Sequence, residues 1–181
     1  MQNNKWIKWY HEGVPDALGE PRELIRTILA FLGHCKKCTA LSGCYFVSDN
    51  KPKYPQHSLC DCELFPINVT ENNLNADCDI RKFTEYIFRL DNNHGKTYIF
   101  EDWGYNIGDS DSLKTEFEKQ AKDKYFNGEY QLQVADEYGQ RITIEISLQD
   151  KEKNVRMIKT GWMVRPLGLI TCSTPFSGVA K

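Results

Sequence analysis

From Pro21 the apolar residues Leu24, Ile25, Ile28, Leu29 and Leu32 recur at steps of three and four. That period predicts an amphipathic helix, opened by Pro21 and Glu23 and stopped at Gly33. The same period returns at Ile80, Phe83, Ile87 and Leu90, where Asp77 or Asp79 can cap a second helix. A third helix is predicted over residues 111–126, started by Asp111 or Ser112, with Leu113, Phe117, Ala121 and Tyr125 facing a core. After Gly128 the period changes to two. EYQLQVADEYGQRITIEISL, NVRMIKTGWMVRP and GLITCSTPF read as four strands, with EYG and PLG as two of the turns.

The stretches between are less regular. Residues 1–20 carry Trp6, Ile7, Trp9 and Tyr10 before Gly/Pro punctuation and read as an arm whose aromatics pack elsewhere. CYFV and CELFPI are short candidate strands on either side of a DNKPKYP loop. TENNLNADC reads as a linker, DNNHGK as an interruption, and YIFEDWGYNIG as irregular or partly extended. The fold class expected is α+β: a small zinc-knuckle-like module over residues 1–70, then a unit over 79–176 with two helices on a four-stranded antiparallel sheet.

Composition narrows the function classes. A chain of 181 residues, 40% hydrophobic and 27% charged, is globular rather than disordered. No apolar run approaches the roughly 18 residues that span a bilayer, so no membrane partner is expected. The start MQNNKWIKWYHEG lacks a signal-peptide stretch, which points to the cytoplasm, with delivery by another route left open. The net charge of −2 offers nucleic acid no global attraction, so an RNA partner would need a local basic patch. Neither GxGxxG nor GxxxxGK[ST] occurs.

Seven cysteines are many for this length, and Cys35, Cys38, Cys44, Cys60 and Cys62 fall in one short stretch. Without a secretion signal, such a cluster favours metal over disulfides. Cys35 and Cys38 form a CxxC pair, and His57 and Cys60 repeat the spacing. Cys62 is an alternative fourth ligand, since alternate residues of an extended chain face one side. The cofactor expected is one structural zinc ion, with four protein ligands leaving no open position for water. Cys44 reads as a small buried hydrophobe beside Tyr45 and Phe46.

Two resemblances follow from these motifs. Residues 34–67 resemble the C-terminal motif of phage minor head (head morphogenesis) proteins, a CxxC, an ALxG..F piece and a His before CxC. Cys35, Cys38, Ala40, Leu41, Gly43, Phe46, His57, Cys60, Cys62, Pro66 and Ile67 carry the likeness; Ser58 and Asp61 stand where that family usually has Pro and Arg. Residues 79–174 resemble a domain of unknown function at the C-termini of bacterial polymorphic toxins and of some phage head proteins. Lys82, the Asn93-His94-Gly95-Lys96 run, Phe100, Gly104, the Tyr138-Gly139 turn, TGWMVR and LITCS carry this second likeness, with HGK where that family normally has HxxGxxK. It implies a compact RNase of the barnase, colicin-nuclease and RelE type. The residues suit that chemistry. His94 is a titrating group in a polar loop; Lys82, Lys96 and Arg165 could neutralise a phosphorane; Thr160 and Thr171 could hydrogen-bond phosphate oxygens. The expectation is a metal-independent endoribonuclease. The alternative is a non-enzymatic phage or mobile-element protein that contacts a phage structural protein or an immunity-type partner through the zinc module and sheet, with an exposed apolar patch expected.

Overall fold

The structure is a computed structural model that describes residues 5–89 and 95–180. It is α+β, with two sheets. The aromatic arm is the first departure from expectation. Trp6–Tyr10 is a strand, β1, and it lies at the centre of a three-stranded antiparallel sheet between β2 (Tyr45–Val47) and β3 (Glu63–Ile67). Trp6 pairs with both Val47 and Ile67, so the arm is the element on which the front module is built. The helix after it, α1 (Glu20–Phe31), ends before Gly33 as the spacing predicts. A one-and-a-half-turn helix, α2 (Lys36–Leu41), then leads into β2.

The second sheet has five strands in the order β4-β8-β7-β6-β5: β4 (Asn75–Asp77), β5 (Gln131–Leu132), β6 (Gln140–Gln149), β7 (Val155–Val164) and β8 (Leu169–Val179). It corrects the four-stranded antiparallel expectation, because β4, inside the supposed linker, pairs parallel to β8 through Ala76 and Ile170. Period-two alternation cannot flag a three-residue edge strand. β6 and β7 behave as their alternation predicts, pairing from Gln140↔Val164 to Gln149↔Val155 with Ile142, Ile144, Ile146, Ile158, Thr160 and Trp162 turned inward.

Against that inner face packs α4 (Ser110–Phe126), whose Leu113, Phe117, Ala121 and Tyr125 are all buried as expected. The helix starts one residue before Asp111, after a single 3-10 turn in which the Asn106 side chain accepts from Gly108 N. Residues Lys82–Ile87 are helical but wound as a π-helix, with Phe83 and Ile87 buried. Leu90, assigned to the same helix, lies outside the described residues. The stretch expected to be irregular contains α3 (Lys96–Asp102), which buries Phe100.

One cluster of buried side chains draws on both sheets. Trp6 stacks at 6.5 Å on Phe126 and meets Tyr125 edge-on at 5.5 Å. The Tyr125 hydroxyl donates to Tyr45 O, and Asn50 Nδ2 donates to Gly128 O and Tyr130 O at 3.1 and 2.8 Å. The Pro-Leu-Gly turn between β7 and β8 makes a further join. Leu167 and Gly168 both have positive φ (60° and 75°), the pattern of a two-residue I′ hairpin turn. Leu167 is held there by donating to Gly43 O at 3.0 Å.

Gly168 has no alternative at its site, because an added Cβ would lie 2.5 Å from Asn73 O and 2.9 Å from Leu74 Cδ2. Gly168→Ala therefore combines left-handed backbone strain of about 1–2 kcal/mol with an overlap against main chain. A loss of about 3 kcal/mol is expected from the urea midpoint. A variant within 0.5 kcal/mol of the parent, the usual range for a neutral surface change, would contradict this packing.

Candidate metal centre and a cationic face

The front module brings all five predicted ligands together. Cys35 is the extended residue before α2 and Cys38 sits in its first turn, so one short helix start presents both thiols. The chain returns through the loop carrying His57, then Cys60 and Cys62 enter β3. Cys35, Cys38 and His57 have ligand atoms within 4.8 Å of one another, and so do Cys38, Cys60 and Cys62. Cys38 belongs to both groups. Its Sγ is 3.4 Å from His57 Nε2 and 3.6 Å from Cys60 Sγ. A tetrahedral zinc with Zn–S near 2.3 Å has ligand–ligand edges of about 3.8 Å, so both spacings suit one shared ion.

The electrostatics agree with the geometry. Hydrogen bonding from Cys38 holds the Cys62 thiol down at about 5, with Cys60 and the His11 imidazole helping. The contact with Cys62, followed by burial, pushes the Cys38 thiol up. The thiolate is the form that binds metal. These residues form a cluster of thiols and imidazole that could hold a metal ion. Cys44 stands apart from it as predicted. It is buried, with Sγ 3.8 Å from Ala40 O and Val164 O, and burial pushes its thiol up to about 12.

His11 was not singled out by the sequence. It is buried one residue past β1, with Nδ1 3.6 Å from Cys62 Sγ and Nε2 3.3 Å from His34 Nδ1. A histidine that orients a thiolate ligand in this way acts as an outer partner of the centre. The signal available was its step of two from Trp9, which puts both on the inward face.

The predicted nuclease residues are distributed differently. Thr160 is fully buried on the inner face of β7, donates to Ile144 O at 2.7 Å and accepts from Trp162 Nε1 at 2.8 Å. Its hydroxyl is committed to the core, so it does not join Arg165, whose odd position turns it to the outer face. Arg165 Nε donates to Thr171 Oγ1 at 3.3 Å and its Nη1 to Tyr138 O at 3.4 Å. Lys82 Nζ donates to Ser173 O at 3.0 Å. Thr171 and Ser173 are alternate residues of β8, roughly 7 Å apart, so the two cations reach the same strand two residues apart, Arg165 at a side chain and Lys82 at a main-chain carbonyl.

Lys96 lies near the Lys82 end. Its Nζ meets the Tyr86 hydroxyl and sits 4.4 Å from the Tyr86 ring centroid. That contact holds the tyrosine's pKa below its usual value, making its hydroxyl more acidic. Tyr86, Lys82, Ser173 and Thr174 line a groove of about 430 Å³, which Asp79, Arg81 and Glu85 also border. Arg81 is satisfied by Asp79 at 2.5 Å, leaving Lys82 as the cation aimed at β8. His94 lies outside the described residues; the chain re-enters them at Gly95, beside Lys96.

The fold and site thus define an α+β protein with a Cys/His cluster suited to a metal ion ahead of a helix-covered mixed sheet. Residues 70–172 match a family model described as "Domain of unknown function (DUF6883)", and since the match spans more than half of the chain, the protein belongs to that family. The match takes in β4 through the first part of β8 and excludes the metal cluster. No curated protein and no solved structure matches the chain. Among the described residues, no helix is long and apolar enough to cross a membrane.

Proposed function

We propose that the protein is a toxin-like, metal-independent endoribonuclease acting in the cytoplasm, its fold braced by a structural zinc ion in the front module. The observation that carries the nuclease reading is the pair of cations that meet β8 two residues apart. Lys82 and Arg165, which are 83 positions apart in the chain, bond to Ser173 and Thr171. Such a pair supplies the local cations that a chain of net charge −2 needs in order to hold a polyanion. The likeness of residues 79–174 to toxin-associated domains points the same way.

Cleavage by this set would use the His94 imidazole to move the proton between the 2′-hydroxyl and the leaving 5′-oxygen. Lys82, Lys96 and Arg165 would offset the charge that grows on the phosphorane. Tyr86 takes the place first given to Thr160, because its hydroxyl borders the groove and is polarised by Lys96.

The test is cleavage of a mixed single-stranded RNA pool by zinc-loaded protein. His94→Ala is expected to slow it by roughly 10²–10⁴-fold and Arg165→Gln by about 10²-fold. The alternative, a non-enzymatic protein that contacts a phage structural or immunity-type partner, also has an observation in its favour. Much of the apolar stripe of α1 faces solvent, with Leu24 60% and Ile28 49% exposed. Folded, zinc-loaded protein that cleaves no RNA would decide for that alternative.

A further inference from the structure

On the other flank of Arg165 the sheet meets the beginning of α1. A cleft of about 380 Å³ opens there, lined by Arg22, Arg26 and Arg165 with Gly19, Tyr138 and Thr171. Three arginines line it against a single acidic residue, Glu23. Glu23 is already engaged, 3.0 Å from Arg26 and 4.0 Å from Arg22. The cleft therefore carries unbalanced positive charge in a chain whose total is negative.

Arg22 makes that imbalance costly. It is 3% exposed, the only fully buried residue of α1, and one of its terminal nitrogens caps the end of α2 by donating to Ser42 O at 2.5 Å. Its Nε is buried with no hydrogen-bond partner among the described residues. A buried guanidinium with an unused donor is unfavourable unless an acceptor completes it. Burial lowers its affinity for a proton, and the charges of Arg26 and Arg165 add to that effect. The N-terminus of α1 opens onto the same cleft at Gly19 and has no side-chain cap. The positive end of the α1 dipole therefore lies at its edge, although Pro21 has no amide N–H to offer and the Glu23 amide is bonded to Gly19 O.

We propose that this cleft is an anion site that takes a phosphate group, and that its occupant is a backbone phosphate of single-stranded RNA running along β8. The source of the phosphate rests on the ribonuclease reading; the anion site does not. Two of its arginines come from α1, outside the matched family domain, so the front module would complete the substrate track instead of only bracing it. Planar guanidiniums suit phosphate oxygens because they donate in pairs.

The experiment uses the full chain loaded with zinc and two probes. Inorganic phosphate is titrated by calorimetry, and a labelled single-stranded RNA is titrated by fluorescence anisotropy over a range of salt. Arg26→Gln and Arg165→Gln should each weaken both ligands by about tenfold, and each should reduce the salt slope for RNA by about 0.7. Glu23→Gln should tighten both, which a purely structural role for this cluster would not produce. Arg22→Gln also uncaps α2 and is read only beside these variants. Affinities for both probes unchanged in Arg26→Gln and Arg165→Gln would overturn the anion site. Phosphate binding that depends on the arginines, with no RNA binding by the parent, would keep the site and remove the RNA reading.

Discussion

Cys38→Ser is expected to abolish metal binding outright, whereas no other single ligand substitution should do so. Both ligand groups contain Cys38, while Cys35 and His57 belong to one and Cys60 and Cys62 to the other. Zinc takes four ligands and five are within reach, so the spare one can be replaced at little cost while the hub cannot. The parent should carry one equivalent of zinc by elemental analysis. Removing zinc with a chelator should lower the melting temperature in step with the metal lost.

The size of that effect follows from what the metal holds. Structural zinc in small modules contributes roughly 10 kcal/mol or more of apparent folding energy. Here β1 and β2 also pack on Tyr125 and Tyr130, so part of the module's stability comes from the shared core. A loss of about 5 kcal/mol, or about 10–20 °C in Tm, is the expected outcome. Metal-free protein melting at the temperature of the loaded protein would refute the zinc assignment. A Cys38→Ser protein that keeps a full equivalent of metal would refute the geometry.

Trp162→Ala should be the most damaging substitution in the main sheet. Its ring is fully buried near the C-terminal end of β7, and its indole N–H is part of a chain running through Thr160 to Ile144 O. Truncation removes the largest apolar contact of that strand and leaves a cavity, for about 3–5 kcal/mol by urea unfolding. Thr160→Val keeps the shape but strands the indole donor, and about 1–3 kcal/mol is expected. The companion measurement is RNA cleavage. Thr160→Val should change it no more than about twofold once stability is allowed for, because the hydroxyl faces away from Arg165. A large loss of activity in stable Thr160→Val protein would return Thr160 to the site.

Parity along β7 made that distinction readable in advance. Thr160 and Trp162 share one face, and Arg165, five residues from Thr160, takes the other. The hydrophobic members of the inner face leave no room for a substrate there. What parity could not supply was the partners on β8. Arg165 meets Thr171 because β8 returns beside β7, and Lys82 reaches Ser173 O beyond the last residue of β8 that pairs with β4.

The expectations that held were those written in a local period or spacing. The four-residue rhythm of α4, the alternation of β6 to β8, the Tyr138-Gly139 and Leu167-Gly168 turns, and the CxxC with HxxCxC depend on neighbours a few positions away. The failures were non-local. Trp6–Tyr10 has the composition of a packing arm, and only its pairing with residues near 46 and 65 makes it a central strand. α1 has an apolar stripe by period yet buries Arg22 instead, because the polar carbonyls ending α2 lie beneath it.

The chain's own order of residues thus determined the metal-binding chemistry, the core face of the long helix and the strands of the sheet. Each is a matter of side-chain spacing along one segment. Tertiary structure alone decided that His11 reaches Cys62, and that Arg22 and Arg26 meet Arg165 from more than a hundred residues away. Such meetings depend on which strands pair and which helix ends face them, and closing loops of that length leaves no periodic trace in the sequence.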